Sequence, residues 1–560
     1  MTASSLWMDF QRATEAHQDV FFGSALSARG RWRRNKTTSA DRVVCPVERL
    51  GRSVALVRAN LWIELAVNRD LAMSNITDRG YTAGDEDVEV EVSEMRRLYE
   101  AQRLAAPSPV PDLRTRLESL RRLASTLKLN SPAIAEAISA DFGNRSHYET
   151  FLLELVPVQN AIRHAQQNLS GWMRPERRRV ALVFKPAKAW IQYQPLGVVG
   201  IISPWNYPLS LAVLPIVDAL AAGNRVLLKP PELTPRFSSL LKQLLAEAFA
   251  ETELAVVLGG PKTAEEFCRL PLDALAFTGS AAVGRRVMAC AAENLTPVTL
   301  ELGGKSPVLI CADYDIAAAA QDIAFGKLAN AGQTCIAPDY ALVPEAKIKD
   351  LAVALISEAE RLYPSVSANP HYASILSDRH YHRLRSAIEE ARAGGAEILT
   401  HREQTAGVGR KIEPTVVLHA PPECVLMMEE VFGPVLPIVG YKTLDEAIAF
   451  INAKDRPLAL YCMTHKREYR EAVLHRTISG GVTLNGTFLH NAQEDLPFGG
   501  VGKSGIGSYH GIAGFRRFSH ARSIHQVRVL NVLHFLSPPY NWVSKQVIRW
   551  LGSRHAADSC

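Results

Sequence analysis

The feature that most constrains the fold of this chain is a regular alternation of apolar strands and amphipathic helices that begins near residue 198. Strands that alternate with helices form a parallel sheet covered on both faces, an architecture typical of nucleotide-binding domains. The spacing predicts strands at Val198–Ile202, Arg225–Lys229, Ala255–Leu258, Ala274–Phe277 and Val298–Leu300, with helices at Leu209–Ala222 and Arg236–Phe249.

A second alternation runs from Asp315 to about Leu489 and predicts a second α/β domain. Upstream of the first alternation, helical spacing covers Leu113–Leu129 and a helix begins at Ser131-Pro132. Between these helices and the first sheet, two apolar runs, 177–184 and 189–194, flank the turn 185–188. This pattern predicts a β-hairpin that protrudes as an arm.

Composition excludes some classes of function. The 560 residues are 47% hydrophobic and 21% charged, which is typical of a globular protein with more than one domain. Residues 1–72 hold 11 Lys and Arg against 7 Asp and Glu, and therefore most of the net charge of +6. The body is nearly neutral, which argues against nucleic-acid binding. We expect this leader to be disordered or outside the fold, although 54–67 is apolar enough for a short helix or strand.

The eight cysteines are scattered, without CxxC pairs or zinc spacing. This usage predicts a reduced, cytoplasmic protein with no metal site. The N-terminus lacks the pattern of a signal peptide, and no stretch is long and apolar enough to span a membrane.

Three phosphate-loop matches fail on context. Gly500–Gly505 spells GxGxxG but does not follow a strand, and Gly502-Lys503-Ser504 and Gly304-Lys305-Ser306 lack the first glycine of a Walker A loop. A better candidate is the stretch from Phe277 to Gly284, which follows a strand and opens a helix whose N-terminal amides can bind an anion. A plain strand–turn–helix remains the alternative.

Candidate catalytic residues lie in three glycine-rich or apolar segments. Cys335 follows Asn-Ala-Gly-Gln-Thr, Glu301 precedes Leu-Gly-Gly-Lys, and Asn206 lies in Pro-Trp-Asn-Tyr-Pro. A thiol nucleophile, a carboxylate whose pKa burial raises, and an amide donor are the groups needed to convert a carbonyl compound to an acid. Each residue alone is more simply a structural one. Lys229 and Glu232, in a Lys-Pro-Pro-Glu segment that ends a strand, can bind ribose hydroxyls or form a surface turn.

These segments, in this order, resemble the aldehyde dehydrogenase superfamily over roughly residues 88–524. The motifs that carry the resemblance are Pro204-Trp205-Asn206, Phe277-Thr278-Gly279-Ser280, Glu301-Leu302-Gly303-Gly304-Lys305, Gly332-Gln333-Thr334-Cys335 and Glu430-Val431-Phe432-Gly433-Pro434. Two further runs, 335–340 and 496–511, resemble the class-three branch of fatty and aromatic aldehyde dehydrogenases. Within that branch, 94–105 and 492–497 are most similar to bacterial coniferyl aldehyde dehydrogenases.

The resemblance implies an α/β fold with a Rossmann-like NAD(P)-binding domain, an α/β catalytic domain and a β-hairpin oligomerisation arm. We expect the coenzyme domain at 88–302, interrupted by the hairpin 177–194, the catalytic domain at 303–511, a bridging strand at 512–530 and a C-terminal tail at 531–560. The arm implies a homodimer.

The resemblance also implies residue roles. Cys335 would attack the aldehyde as a thiolate, the Cys335 backbone N–H and the Asn206 amide would hold the oxyanion, and Glu301 would activate water. Lys229 and Glu232 would bind the adenosine ribose of NAD or NADP, and Ser280 the pyrophosphate. Glu430 would bind the nicotinamide ribose and Phe432 would pack beside the nicotinamide. The remaining residues expected at the coenzyme site are Trp205, Gly279, Gly284 and Leu302.

Alternatives remain at this point. The substrate is an aromatic aldehyde such as coniferyl aldehyde, or a medium- or long-chain aliphatic one. A CoA-acylating relative or a catalytically silent binding protein would share the fold, but Cys335, Glu301 and Asn206 together favour an aldehyde dehydrogenase that hydrolyses its acyl intermediate. Nucleic-acid or membrane binding through the basic leader would be compatible with catalysis.

Overall fold

The computed structural model describes residues 85–105, 110–403, 408–529 and 531–557, so the predicted leader 1–72 lies outside the described residues. The strands are, in chain order, β1 (Glu176–Arg178), β2 (Lys188–Pro195), β3 (Val198–Ile202), β4 (Arg225–Lys229), β5 (Leu254–Val256), β6 (Ala274–Thr278), β7 (Val298–Glu301), β8 (Pro307–Ile310), β9 (Tyr340–Pro344), β10 (Glu397–Thr400), β11 (Thr415–Leu418), β12 (Val435–Tyr441), β13 (Ala459–Met463), β14 (Gly481–Leu484), β15 (Gly505–Ile506) and β16 (Ser519–Gln526).

The α-helices divide into four groups along the chain. The N-terminal group precedes the first sheet, the second and third groups alternate with the strands, and two helices follow the last strand. Their bounds are Asp85–Ala105, Leu113–Leu129, Ser131–Phe142, His147–Thr150 and Val156–Trp172; Ser210–Ala222, Pro235–Ala248, Pro261–Cys268 and Ala281–Ala292; Ile316–Leu328, Ile348–Leu362, Asp378–Ala393, Val425–Met428, Leu444–Asn452, Arg467–Arg476 and Gly511–Arg517; and Leu533–Leu536 and Trp542–Ala557.

The first alternation forms a sheet in the order β15-β7-β6-β3-β4-β5, in which β7, β6, β3, β4 and β5 are parallel neighbours. Helix Ser210–Ala222 is buried along nearly its whole length, because β3 and β4 cover one side and the N-terminal helices cover the other. Gly223, at φ 89°, ends this helix in the left-handed conformation that glycine tolerates best. The predicted parallel α/β fold is therefore confirmed.

The second alternation forms a sheet in the order β10-β11-β12-β9-β8-β13-β14, parallel except for the edge pair β10 and β11. The predicted segment 303–511 is not confined to this sheet. Its last strand, β15, pairs antiparallel with β7 and so belongs to the first sheet. The chain thus returns to the first sheet through the glycine-rich stretch 499–507, which leads into a strand and opens no helix, as the rejection of a phosphate loop there predicted.

The predicted arm exists, but its strands differ from the prediction. The register pairs Glu176 with Ile191 and Arg178 with Ala189, so Val180, Leu182 and Phe184 do not face β2 as the apolar alternation suggested. Residues 182–184 form a 3₁₀ turn instead. The physical reason is that the backbone of this segment closes local turns, in which the N–H groups of Phe184, Lys185 and Ala187 donate to the carbonyls of Ala181, Leu182 and Phe184. On its other edge, β2 pairs with β16 over all eight residues.

The C-terminal predictions were also too simple. The segment 512–530 is not one strand, because helix Gly511–Arg517 precedes β16, and the tail 531–560 contains the helices Leu533–Leu536 and Trp542–Ala557. None of the helices in the described ranges combines the length and the hydropathy that a bilayer span requires.

Candidate active site

The site begins at the carboxyl edge of the first sheet. Ile202, the last residue of β3, lies opposite Lys229 on one side and Phe277 on the other, and Thr278 lies opposite Glu301. Because all four strands are parallel, their following loops meet at one edge, where ligands bind in open α/β sheets. This arrangement brings together the segments of Asn206, Lys229, Ser280 and Leu302, as the sequence predicted.

The loop before Cys335 has an unusual backbone. Asn330, Ala331 and Gly332 take φ values of 52°, 49° and 74°, three successive left-handed residues that cost conformational energy wherever the residue is not glycine. The buried Gln333 side chain stabilises the loop by donating to the carbonyls of Asn330 and Ser374, each at 3.0 Å. The turn leaves Cys335 partly exposed among buried neighbours.

Asn206 is fastened to this loop. Its side-chain Nδ2 donates to the Gln333 carbonyl at 3.1 Å, and its own carbonyl accepts from Asn330 Nδ2 at 2.8 Å. Tyr207 and Thr334 join the same two segments through their hydroxyls, 2.8 Å apart. An amide carries two N–H groups, so Asn206 retains one donor for a ligand oxygen beside Cys335.

Burial in this site disfavours the charged forms of its titratable side chains. Burial raises the pKa of Glu301 well above its ordinary value, despite the backbone N–H of Gly500 and the charge of Arg517 nearby. Burial also raises the pKa of Glu430 to about 8. Burial, with the charges of Glu430 and Glu301, raises the pKa of the Cys335 thiol to about 12. In the free protein, burial therefore favours the protonated form of the Cys335 thiol and disfavours the ionised forms of the two carboxyl groups beside it.

We expect this environment to be visible in the pH dependence of thiol alkylation. With a pKa near 12, the thiolate fraction of Cys335 rises about tenfold per pH unit between pH 7 and 10, and the rate of alkylation by iodoacetamide should rise with it. Mass spectrometry of the labelled peptide measures that rate. A plateau below pH 9 would contradict the raised pKa.

Glu430 and Phe432 belong to the second alternation, and they contact the loops that follow the strands of the first sheet. The Glu430 carboxylate packs so closely on Gly303 that a Cβ there would lie 2.0 Å from Oε2, and Glu430 Oε1 is buried without a partner in the described part of the chain. Phe432 has a φ of 49°, and its ring meets that of Trp205 edge to face at 5.5 Å. The unpartnered carboxylate oxygen is free to accept a hydroxyl of a bound ligand.

An ion pair between Lys305 and Asp339, which the sequence did not predict, holds these loops in place. Buried Asp339 accepts the Val431 N–H at 2.8 Å and pairs with Lys305. Lys305 Nζ also donates to the carbonyls of Leu426 and Glu429, each at 2.8 Å. Lys305 and Asp339 both lie in motifs named in the sequence, but no spacing rule predicts that two residues 34 positions apart form an ion pair.

The remaining predicted coenzyme residues also lie along this edge. Lys229 is buried and its Nζ donates to Glu232 at 2.6 Å. Ser280 caps helix Ala281–Ala292. Gly279 and Gly284 leave no room for side chains, since a Cβ would lie 2.5 Å from Phe277 and 2.7 Å from Leu302 respectively. A helix N-terminus, a carboxylate for ribose hydroxyls and a close-packed backbone fit a dinucleotide.

The described residues contain no group of three or more His, Cys, Asp or Glu side chains that could hold a metal ion. The fold and the site together fit the class of NAD(P)-dependent oxidoreductases, with the Cys335 thiol near a sheet edge that suits a dinucleotide. Comparison with known proteins gives the family.

The profile of the "Aldehyde dehydrogenase family" matches residues 77–524. A "Probable coniferyl aldehyde dehydrogenase" of Pseudomonas aeruginosa is 45% identical over 80% of this chain and 94% of the relative. "Aldehyde dehydrogenase family 3 member A2" of Pongo abelii is 39% identical over 77% of this chain and 87% of the relative. The solved "Substrate bound state of Staphylococcus Aureus AldH" superposes with a TM-score of 0.76 at 36% identity, covering 83% of this chain and 99% of that one.

The chain belongs to the aldehyde dehydrogenase family, whose members oxidise aldehydes to acids with NAD or NADP. The resemblance stated from the sequence, including the class-three branch, is confirmed.

Proposed function

We propose that this enzyme oxidises an aromatic aldehyde of the coniferyl type to the carboxylic acid, with Cys335 as nucleophile. The observation that carries the catalytic assignment is that Asn206 is hydrogen-bonded to the loop of Cys335, while the charges of Glu301 and Glu430 act on its thiol. Support for the substrate comes from the coniferyl aldehyde dehydrogenases at 42–45% identity.

The test of the substrate is a panel of coniferyl, benzaldehyde-type and C6–C16 aliphatic aldehydes assayed with NAD and NADP. We expect the largest kcat/KM for coniferyl aldehyde. Higher values for the long-chain aldehydes would replace the aromatic assignment with the aliphatic one. Product analysis with and without CoA separates hydrolysis from acyl transfer, and formation of a CoA thioester would favour the CoA-acylating alternative.

Residue roles follow from the chemistry of the site. Cys335 Sγ bonds to the aldehyde carbon as the thiol proton passes to a neighbouring carboxyl group in its ionised, carboxylate form. The aldehyde oxygen becomes an oxyanion that the free N–H of Asn206 and the backbone N–H of Cys335 stabilise. NAD(P)⁺, when bound, supplies the hydride acceptor. The acyl group is then held as a thioester on Cys335, and Glu301 takes a proton from the water that hydrolyses it.

The coenzyme site consists of the edge of the first sheet and the loop of Glu430. We assign the adenosine ribose to Lys229 and Glu232, the pyrophosphate to Gly279, Ser280 and the adjacent helix N-terminus, and the nicotinamide ribose to Glu430. Trp205, Gly284, Leu302 and Phe432 shape this site by packing. Segment 88–302 thus serves as the coenzyme domain, and the second sheet supports the nucleophile and Glu430.

The close contact between Gly303 and Glu430 gives a test of the ribose assignment. We expect Gly303→Ala to displace the Glu430 carboxyl group and to weaken coenzyme binding about tenfold, the loss of one hydrogen bond. Gly304→Ala is the matched control, because its Cβ would meet only ordinary contacts at 3.4 Å. Quenching of tryptophan fluorescence measures the dissociation constants. Equal weakening in both variants would contradict the role of Glu430.

We propose that the arm joins two subunits into a homodimer. β16 is an eight-residue edge strand, and Leu182 and Phe184 beside it are 63% and 41% exposed. Exposed strand edges with apolar neighbours favour pairing with another chain. We expect sedimentation at micromolar concentration to give a dimer, and Leu182→Ser with Phe184→Ser to shift it toward monomer, whereas Val353→Ser, also strongly exposed, should not. A monomeric unmodified enzyme would refute the arrangement.

We propose a cytoplasmic location, and the state of the cysteines is its only support. All six cysteines in the described residues are free, which favours a reducing compartment such as the cytoplasm.

A further inference from the structure

A fully buried ion pair lies beneath the loop of Asn206. Arg145 Nη1 is 2.8 Å from Glu154 Oε1, and both side chains have no exposed surface. The Arg145 Nε and Nη2 atoms lack hydrogen-bond partners among the described residues. Removing two charges from water costs free energy that their mutual attraction often fails to return. A buried guanidinium with two unpaired nitrogens is therefore a weak contributor to stability, and its contacts suggest another role.

The ion pair holds the Asn206 loop at both ends. Arg145 Nη1 donates to the carbonyl of Asn206 at 3.2 Å, and the guanidinium lies 4.8 Å above the ring of Tyr207. Glu154 Oε2 accepts the N–H groups of Leu209 at 2.8 Å and Ser210 at 3.1 Å, where helix Ser210–Ala222 begins. The backbone from 206 to 210 is thus fixed by one arginine and one glutamate.

The same carbonyl connects to the nucleophile. Asn206 O accepts from Arg145 and also from Asn330 Nδ2, and Asn330 N donates to Glu149. The Asn206 side chain is already committed to Gln333 by one N–H. The direction of its second N–H is then set by where the backbone of residue 206 lies, and a shift of about 1 Å in a catalytic group can cost about 10²-fold in rate.

We propose that Arg145 is a positioning residue for the oxyanion-binding amide, acting through the backbone carbonyl of Asn206 and making no contact with substrate or coenzyme. This inference rests on the proposed role of Asn206. In this inference, Arg145 helps to preorganise the oxyanion site although it does not itself bind the oxyanion.

Two variants test it. Arg145→Lys keeps the charge beside Glu154 but shortens the side chain, so the contact with Asn206 O is lost. Arg145→Met combined with Glu154→Gln removes both charges of the pair while leaving an acceptor for Leu209 and Ser210, so that Glu154 does not remain as an unpaired buried carboxylate. Glu149, on which the Arg145 charge also acts, is unchanged in both variants. Arg122→Lys is the matched control, because Arg122 also pairs with a glutamate, Glu253, and donates to a backbone carbonyl, Ala248, away from Cys335.

The decisive readout needs no coenzyme. In hydrolysis of p-nitrophenyl acetate, Cys335 Sγ bonds to the ester carbon, an oxyanion forms, p-nitrophenolate leaves with the electron pair, and water then releases acetate. Alkylation of Cys335 by iodoacetamide forms no oxyanion. We expect both Arg145 variants to lower kcat for ester hydrolysis 10- to 100-fold with little change in KM, and to leave alkylation and coenzyme affinity within twofold.

The alternatives are distinguishable. If alkylation falls together with esterase activity, Arg145 acts on the thiol or on the whole fold, and the inference is overturned. An Arg122→Lys variant with the same loss overturns it as well. In an Asn206→Ala background, Arg145→Lys should have no further effect on ester hydrolysis; an additive loss contradicts action through Asn206. If Asn206→Ala itself has full esterase activity, the proposed oxyanion role of Asn206 fails first.

Discussion

Cys335→Ser and Cys335→Ala should each lower aldehyde oxidation by on the order of 10⁴-fold or more. Without Sγ the enzyme cannot form the tetrahedral thiohemiacetal from which the hydride is transferred. Removing one partly exposed sulfur should cost about 1 kcal/mol of folding free energy or less. Steady-state kinetics and thermal unfolding measure the two effects separately.

Cys290→Ser is the control for this experiment, since Cys290 is the other partly exposed thiol among the described residues and lies in helix Ala281–Ala292. It should retain activity near that of the unmodified enzyme. Residual activity within tenfold of the unmodified enzyme in Cys335→Ala would mean that another group attacks the aldehyde.

The second large effect is expected for Glu301→Gln. The amide cannot accept a proton from water, so hydrolysis of the thioester should slow by about 10²–10³-fold, while formation of the adduct is less affected. Rapid mixing should show a burst of reduced coenzyme equal to the enzyme concentration, followed by slow turnover. Mass spectrometry of the quenched enzyme should show the acyl group on Cys335.

Glu494→Gln is the matched control, because Glu494 is another carboxyl group whose pKa burial raises, to about 7, but it does not act on the thiol. It should show neither a burst nor slow turnover. If the burst rate and the steady-state rate of Glu301→Gln fall equally, Glu301 serves the first half-reaction, as the acceptor of the thiol proton.

The sequence predicts some of the strands and some positions of the site residues, but not others. The strands β3 and β4 were predicted residue for residue, since short apolar runs followed by amphipathic helices have few other solutions. The motifs then placed Asn206, Lys229 and Ser280 at one edge, because parallel strands end on the same side.

Other features depend on contacts that local sequence does not encode. The segment 177–184 alternates like a strand, but only Glu176–Arg178 pairs with β2, and residues 181–187 form local turns instead. The long partner of β2 is β16, which lies more than 300 residues away in the chain. The same limit applies to charge. The raised pKa of the Cys335 thiol follows from its burial and from the two carboxyl groups around it, and tertiary packing sets both.

Asn224 gives the arm a property relevant to redesign. This buried side chain accepts the N–H groups of Leu196 at 2.7 Å and Gly197 at 3.0 Å, where β2 passes into β3, and donates to the carbonyl of Phe518 at 2.8 Å, where β16 begins. Two strands of the arm, β2 and β16, are therefore anchored to one residue beside the first sheet. A chimaera that exchanges this arm for another should therefore cross over outside this junction and keep Asn224, so that β2 and β16 stay hydrogen-bonded to the body of the enzyme.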